Sequence, residues 1–252
     1  MADANARVRK RDRLKARAKR YVDLPLKLRT ADLPRRAASA VVMLAITGAA
    51  VWQGGEVLRG FIALVALACF VEFLRLIRRA TRRPAARVAG AIGGAAYIGT
   101  AAWGLASFQP YHIVGVLGVV IFTDTCAYFA GRSIGGPKIA PRISPAKTWA
   151  GLFGGALLAG LVGITVELAD IGPAAVPGFT WVSIAGALFG GLLIAVIAQS
   201  GDFFESWMKR RAGVKDSGRL IPGHGGLFDR LDGFVAVFFV LFVIATATTL
   251  LG

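Results

Sequence analysis

Seven stretches of apolar residues, each 18 to 21 residues long, run through the chain and are separated by polar segments. A helix of roughly 17–25 mostly apolar residues crosses the hydrocarbon core of a bilayer, so each stretch is long enough to span a membrane. Only 17% of the residues are charged, against about 25% in typical soluble domains. The sequence therefore predicts an all-α, polytopic helical membrane protein with about seven transmembrane helices. The predicted spans are residues 37–55, 57–76, 88–108, 112–130, 149–166, 181–198 and 234–251.

The basic residues indicate how these spans are oriented. Of the 30 Lys and Arg residues, 29 fall in the segment before the first span or in alternate loops after it, counting Arg75 at the inner end of the second span. Since cytoplasmic segments are enriched in Lys and Arg, we expect a cytoplasmic N-terminus and a C-terminus on the outer side, which requires an odd number of spans. A soluble nucleic-acid-binding protein is excluded, because its basic residues would cover a polar surface. No nucleic-acid partner is expected.

The chain divides into a basic arm, residues 1–36, and a transmembrane domain, residues 37–252. The arm is polar on nearly all sides, and we expect it to be a disordered cytoplasmic tail that lies on anionic lipid. Small residues recur four positions apart within the spans, for example at Gly151 and Gly155. This spacing favours close contact between helices.

Most of the polar residues that can carry chemistry lie in two predicted cytoplasmic segments, residues 131–148 and 199–233. The pattern of residues 200–212 suits a helix that continues out of the sixth span. Asp202 and Lys209, which are seven residues apart, then lie on one face of that helix. The density of acids, bases and glycines in segment 199–233 predicts that it is the catalytic segment.

The run 222–226, Pro-Gly-His-Gly-Gly, cannot form a regular helix. Its glycines can adopt the positive φ and the close backbone approach that phosphate-binding loops need. Asp229 and Asp232 follow this run and open the seventh span, so Asp202 and Asp229 are predicted to flank one pocket at the membrane surface. Carboxylates of this kind bind Mg²⁺ together with phosphate oxygens, and Lys and Arg neutralise charge on phosphates. The pattern therefore suits a metal-bound nucleoside triphosphate.

Three further acids have different interpretations. Asp232 begins a helix, where an acid also suits the helix dipole without a further role. Asp124 lies six residues from the inner end of its span, about 9 Å deep at about 1.5 Å per residue. An acid at that depth is interpreted as functional. Glu72 lies beside Arg75 at a helix end, where an ordinary ion pair is expected.

The polar positions of the catalytic segment form a pattern that resembles the signature of the phosphatidate cytidylyltransferases, the CDP-diacylglycerol synthases. The matching positions are Ser206, Lys209, Arg210, Lys215, Asp216, Gly218, residues 222–226, Asp229, Arg230 and Asp232. A second element similar to this family is formed by Ser144, Pro145, Lys147 and Thr148, preceded by residues 123–132. One position departs from the family, because Ala150 stands where many members have Glu. No acidic ligand is therefore expected from that position.

The resemblance implies a nucleotidyltransferase that converts CTP and phosphatidic acid to CDP-diacylglycerol and pyrophosphate in phospholipid biosynthesis. It implies a divalent metal cofactor, Mg²⁺, held by Asp202 and Asp229, and leaves open whether a monovalent cation assists. The implied partners are CTP, phosphatidic acid and membrane lipids, while a homodimer is left open. The implied location is the inner (plasma) membrane of a bacterium, as a multi-pass protein whose active site is on the cytoplasmic side.

The resemblance also assigns roles to individual residues. The expected catalytic residues are Lys209, Lys215, Asp216, His224 and Arg230. The expected substrate-binding residues are Lys147, Ser206, Arg210, Gly223, Gly225 and Gly226, and the supporting residues are Asp124 and Asp232. Among these, the basic residues screen phosphate charge, with Lys147 on either the lipid phosphate or the triphosphate. His224 is expected to donate a hydrogen bond to a phosphate, and a proton shuttle or a structural role is the alternative. Whether Asp216 serves the metal shell or the folding of the loop is left open.

Two other functions share part of this pattern. A different CTP-dependent lipid enzyme, such as a polyprenol or phytol kinase or a CDP-archaeol-type synthase, would combine the same nucleotide with another lipid. A transporter of an anionic solute would also place basic residues among broken helices. The transporter is the weaker alternative, because the charged residues cluster at one membrane surface rather than at the midplane.

Overall fold

The computed structural model describes residues 33–168, 184–223 and 225–251, which form seven helices and one two-stranded sheet. The helices are α1 Leu33–Gln53, α2 Gly55–Ala80, α3 Pro84–Ser107, α4 Pro110–Ser133, α5 Trp149–Leu168, α6 Ile184–Ala212 and α7 Phe228–Leu251. The strands are β1 Lys138–Ala140 and β2 Ser144–Thr148. The predicted all-α membrane fold is confirmed. The predicted roles of His224 and of most of the basic arm lie outside the described residues.

Five of the described helices, α2, α3, α4, α6 and α7, are long and apolar enough to cross a membrane by length and composition. In α1 and α5 the described apolar segments are shorter, Ala37–Gln53 and Trp149–Val162. Several helices extend beyond the predicted spans, and the last four residues of the predicted arm, 33–36, belong to α1. The reason is that hydropathy marks the lipid-facing part of a helix, whereas its backbone hydrogen bonds continue into the polar interface. The number of membrane crossings stays a prediction.

Glycine and proline set the junctions between the first four helices. Gly54 has a φ of +62° and separates α1 from α2. Pro84 and Pro110 begin α3 and α4, where the missing N–H of proline removes no helical hydrogen bond. The short connections reverse the chain direction, and of these consecutive helices α2 and α3 pack closely against each other.

The helices form two packed groups. In one group α5 packs against α4 and α6, and in the other α3 packs against α2 and α7. Helix α6 joins the groups because it contacts both α2 and α7. Gly155 of α5 lies against Thr123 of α4, and Gly191 of α6 lies against Gly160 of α5, without room for a Cβ atom. The close helix contact predicted from the small residues is therefore confirmed at Gly155.

The segment between α4 and α5 contains an antiparallel hairpin, β1 with β2, that the sequence did not predict. Lys138 pairs with Thr148, and Ala140 pairs with Ser144. The buried hydroxyl of Thr148 accepts a hydrogen bond of 3.1 Å from the backbone N–H of Gly151 and so caps α5. This cap fixes the neighbouring residue Lys147 beside α6.

The hairpin and the loop residues 213–223 and 225–227 lie at the same end of the bundle, which we call the site face. Arg210 at the end of α6 donates a hydrogen bond of 3.3 Å from Nε to the carbonyl of Ile143 in the hairpin. The loop at Phe108 and Gln109 connects α3 to α4 at the other end of the bundle, away from the site face.

We expect a cysteine at Lys215 and a cysteine at Gln109 to be labelled from opposite sides of the membrane. Both side chains are exposed, and the native Cys69 and Cys126 are first replaced by alanine. A membrane-impermeant maleimide added to spheroplasts should label Gln109→Cys at once and Lys215→Cys only after lysis. Equal labelling of both positions in intact spheroplasts would contradict the predicted orientation.

Candidate active site

Four acidic residues from α6 and α7 form a continuous row at the site face. Asp202 and Glu205 come from α6, and Asp229 and Asp232 come from the first turns of α7. The carboxyl group of Asp232 contacts those of Asp202 and Glu205, and Glu205 in turn contacts Asp229. Gly201 permits this approach, since a Cβ atom there would overlap the backbone of Asp232. We call these four residues the acidic row, and Asp202 and Asp229 are its two ends.

Two lysines pair with the ends of the acidic row. Lys147 of β2 forms an ion pair with Asp202. Lys209 of α6 bridges two acids, with Nζ 2.5 Å from Oε2 of Glu205 and 2.9 Å from Oδ1 of Asp229. Because these side chains are largely buried, the ion pairs are screened less than pairs at the surface. Four carboxylates thus face two ammonium groups, and the row attracts further cations when it is ionised.

Asp229 also organises the loop between α6 and α7. Its Oδ2 atom accepts hydrogen bonds of 2.9 Å from the backbone N–H groups of both Ser217 and Gly226. Its Oδ1 atom accepts from Lys209 and, at 3.0 Å, from Ser217. Both carboxylate oxygens of Asp229 therefore already bind protein donors, so this residue couples the loop to the acidic row.

The glycine run folds into a tight turn beside Asp229. Ile221 and Gly225 exchange backbone hydrogen bonds of 2.9 and 3.2 Å. Gly223 and Gly225 have φ angles of +79° and +90°, which side-chain-bearing residues rarely adopt. The turn also comes close to Asp216, whose Cβ lies 3.4 Å from the position that a Cβ would take at Gly225. The positive φ angles expected of these glycines are confirmed.

Glu72 of α2 lies beneath this loop and is only 2% exposed. Its Oε2 atom accepts hydrogen bonds from the hydroxyl of Ser217 at 3.0 Å and from the backbone N–H of Phe228 at 2.9 Å. The predicted ion pair with Arg75 is wrong, because Arg75 is exposed and Glu72 points into the protein toward the loop. A Cβ atom at Gly226 would overlap Ser217 and lie against Glu72, so only glycine fits there.

Other predicted residues surround the acidic row. Asp124 of α4 interacts electrostatically with Asp202 and Lys147, which places it near the hairpin end of the row. Among the other predicted residues, Ser206 is half-buried, and those exposed at the site face are Arg210, Lys215, Asp216, Gly223 and Arg230. The structure thus brings Asp124 and Lys147 to the acidic row. The predicted basic residues Arg210, Lys215 and Arg230 remain exposed.

Sequence reasoning missed Glu205 and assigned Glu72 to the wrong partner. Glu205 lies three residues after Asp202 and four before Lys209, so the face rule that grouped those two residues also includes it. Glu72 is an acid within an apolar span, and the depth argument that singled out Asp124 applies to it equally. Both acids were therefore detectable by rules already in use.

The donor set of the acidic row suits a hard divalent cation. The described residues contain no group of three or more His, Cys, Asp or Glu side chains already arranged to hold a metal ion. Mg²⁺ commonly takes only one or two protein carboxylates and completes its shell with phosphate oxygens and water. Oε1 of Glu205 is buried, and no donor among the described residues reaches it. A cation beside Asp202, Asp232 and Glu205 would relieve the repulsion among these acids.

Known proteins share the half of the chain that contains this site. The family model described as the cytidylyltransferase family matches residues 107–248. A phosphatidate cytidylyltransferase of Brucella melitensis is 48% identical over 131 residues, which are 52% of this chain and 45% of the relative. A phosphatidate cytidylyltransferase of Rickettsia felis is 39% identical over 135 residues, which are 50% of this chain and 55% of the relative. The chain therefore spans about half the length of the curated relatives it matches.

Proposed function

Because the chain belongs to the cytidylyltransferase family, as its motif predicted, we propose that it transfers the cytidylyl group of CTP to phosphatidic acid. The products are CDP-diacylglycerol and pyrophosphate. The observation that carries this proposal is the acidic row, paired with Lys147 and Lys209 beside a glycine turn, at the end of membrane-length helices. The relatives named phosphatidate cytidylyltransferase support the choice of both substrates.

In the proposed reaction the protein aligns the two phosphate groups and neutralises their negative charge. An oxygen of the lipid phosphate attacks the α-phosphorus of CTP, and the bond from that phosphorus to the oxygen bridging it to the β-phosphorus breaks, which releases pyrophosphate. The lipid phosphate is already ionised at neutral pH, so the attack needs no strong general base. The main barriers are the mutual repulsion of two anions and the charge on the leaving group. Lys147 and Lys209 lie within the site and offer ammonium groups to the phosphates.

We further propose that Mg²⁺ binds at the acidic row, as the family resemblance implies for Asp202 and Asp229. A bound divalent ion would neutralise phosphate charge and polarise a phosphoryl oxygen. Asp202 and Asp232 are the less engaged acids, because Lys147 pairs with Oδ2 of Asp202 and the backbone N–H of Gly233 donates to Oδ1 of Asp232, whereas both oxygens of Asp229 accept backbone N–H groups. Asp229 would then orient the loop and Lys209 around the nucleotide as well as contribute charge.

We place the protein in the inner membrane of a bacterium, with the site face toward the cytoplasm. The apolar helices and the bacterial relatives support this location. The excess of Lys and Arg on the same side of the predicted spans supports the orientation. CTP is a cytoplasmic nucleotide, so this orientation exposes the site to its substrate.

The direct test follows two phosphorus labels. Purified protein in lipid nanodiscs is given phosphatidic acid, Mg²⁺ and CTP labelled either at the α- or at the γ-phosphate. We expect the α-label to appear in the lipid and the γ-label in pyrophosphate. Both transfers should require phosphatidic acid.

The same assay separates the alternatives. A CTP-dependent lipid kinase would move the γ-label into lipid and leave the α-label in CDP. A transporter would incorporate neither label. A CDP-archaeol-type synthase would incorporate the α-label only when an unsaturated ether lipid phosphate replaces phosphatidic acid. Any of these three outcomes would overturn the proposed function.

A further inference from the structure

An apolar cavity of about 410 Å³ lies among α1, α2, α3, α4 and α7, on a side of α7 that the acidic row does not use. Its volume falls within the roughly 300–1,000 Å³ of small-molecule pockets. Buried residues form its inner wall, namely Leu58, Ile62, Cys69, Ile98 and Phe238. The cavity is therefore large enough for part of a ligand and is lined for an apolar one.

The cavity has a single charged end. Among the described residues that line it, Arg230 alone is charged. Arg230 follows Asp229 directly in the first turn of α7, so this end of the cavity adjoins the acidic row. An anionic group held near Arg230 would therefore lie next to the proposed catalytic site.

The length of the cavity matches one leaflet of a bilayer. Along α2 it extends from Leu58 to Cys69, which is about 16 Å at about 1.5 Å per residue. The hydrocarbon core is about 30 Å thick, so the chains of one leaflet occupy about 15 Å. A lipid whose headgroup is at Arg230 can thus extend one chain through the cavity.

The cavity opens sideways toward the bilayer. Three of its lining residues, Ile46, Leu64 and Val114, belong to three different helices and are more than half exposed. A lipid chain can enter between these helices without leaving the apolar phase. The opening therefore suits a ligand that arrives from the membrane.

We propose that the cavity binds one acyl chain of the phosphatidic acid acceptor and sets its phosphate at Arg230, beside the acidic row. This proposal rests on the proposed function, since it assigns the cavity to the acceptor lipid. A diacyl lipid with an anionic headgroup matches the apolar wall, the single positive charge and the lateral opening together.

The contribution of the cavity is positional. Lipid tails are as apolar as the cavity wall, so moving a chain from the bilayer into the protein gives little hydrophobic free energy. What the enzyme gains is a fixed orientation of the attacking phosphate, and such alignment strongly affects rate. We therefore expect a blocked cavity to slow reaction of long-chain substrates.

The test fills the cavity from α2. Ala66 lines the cavity and is half-buried, whereas Ala63 on the same helix is exposed and does not line it. We expect Ala66→Phe to lower kcat/KM for dioleoyl phosphatidic acid roughly tenfold, because the chain no longer aligns the phosphate. The KM for CTP should stay within about twofold of wild type. The matched control Ala63→Phe should leave all constants unchanged.

A short-chain lipid provides a second readout. The headgroup end of the cavity lies near Cys69, because Phe228, two residues before Arg230, packs with Cys69. Ala66 is three residues from Cys69, about 4.5 Å along the helix, so even dioctanoyl chains reach it. Ala66→Phe should therefore lower kcat/KM for dioctanoyl and dioleoyl phosphatidic acid by similar factors of roughly ten. No loss with either lipid would overturn the assignment of the cavity.

Photolabelling tests the cavity without activity and keeps the two proposals separate. Phosphatidic acid with a diazirine near the end of one chain should label wild-type peptides of α2, α3 and α7 that line the cavity. Excess dioleoyl phosphatidic acid should compete for this labelling, and Ala66→Phe should reduce it. Labelling confined to other helices, or equal labelling by a matched phosphatidylcholine probe, would overturn the acceptor site. If wild type transfers no cytidylyl group while the cavity is labelled selectively, the proposed function fails and the anionic-lipid site stands.

Discussion

Changing Asp202 or Asp229 to asparagine is expected to lower cytidylyl transfer by a factor of about 100 or more. Asparagine keeps the size of the side chain but removes its charge, which weakens a hard-cation site far more than it disturbs the fold. Even the loss of residues that only support metal ligands commonly costs 10- to 100-fold. Transfer of α-labelled phosphate from CTP to phosphatidic acid, measured across a Mg²⁺ titration, provides the measurement.

The two substitutions should differ in their effect on stability. Asp202 pairs with Lys147 alone among the basic side chains described, so Asp202→Asn should unfold at nearly the wild-type temperature. Asp229 holds Ser217, Gly226 and Lys209, so Asp229→Asn should also loosen the loop and lower that temperature. The double variant should be little less active than either single variant, because both residues serve one unit.

A matched control lies at the other end of the bundle. Glu56 pairs with Arg59 at 2.6 Å, and both side chains are largely exposed. Glu56→Gln removes a carboxylate charge at no proposed functional site and should leave turnover unchanged. Near-normal turnover of Asp202→Asn at low Mg²⁺ would remove Asp202 from the metal site, and the same result for Asp229→Asn would remove Asp229.

Glu72→Ala is expected to reduce both the stability and the turnover of the protein. The substitution leaves the buried Ser217 hydroxyl and the Phe228 N–H without their acceptor. Each unsatisfied buried donor costs about 1–3 kcal/mol, so we expect a loss of about 3 kcal/mol in the free energy of unfolding. Because Ser217 also binds Asp229, the remaining folded protein should show a lower kcat. Thermal unfolding and label transfer in nanodiscs measure the two effects.

Two variants separate this role from simpler explanations. Arg75→Ala should leave the unfolding temperature and turnover close to wild type. A loss of stability as large as that of Glu72→Ala would instead indicate that the ion pair with Arg75 is the main contact of Glu72. Glu72→Gln keeps one acceptor oxygen and the side-chain volume, so most of the stability should return. If Glu72→Ala itself unfolds at the wild-type temperature, the hydrogen bonds of Glu72 do not hold the loop.

Much of the architecture follows from local rules. The apolar lengths predict the helices, and the alternation of basic segments predicts which loops share a side. The face rule groups Asp202 with Lys209, and the glycine run predicts the positive φ angles found at Gly223 and Gly225. Each of these inferences depends on residues that are close in sequence, where periodicity and backbone geometry suffice.

Other features needed contacts between distant parts of the chain. The hairpin of β1 and β2 was not predicted, because three- and five-residue strands carry too little pattern to be recognised. Glu72 and Ser217 are 145 residues apart, and no periodic rule connects them. The same holds for Lys147 and Asp202, which are separated by 55 residues.

The sequence by itself determined that this chain is a helical membrane protein of the cytidylyltransferase family, since hydropathy and a dense local motif are sufficient for both. Only the tertiary structure decided how the acids are used. It shows that the two predicted carboxylates belong to a row of four and that Glu72 is a buried acceptor for the loop rather than an ion-pair partner of Arg75. It also places Arg230 where an apolar cavity adjoins this row. The physical reason is that helix packing selects which faces meet, and the partners of a charged side chain depend on that choice.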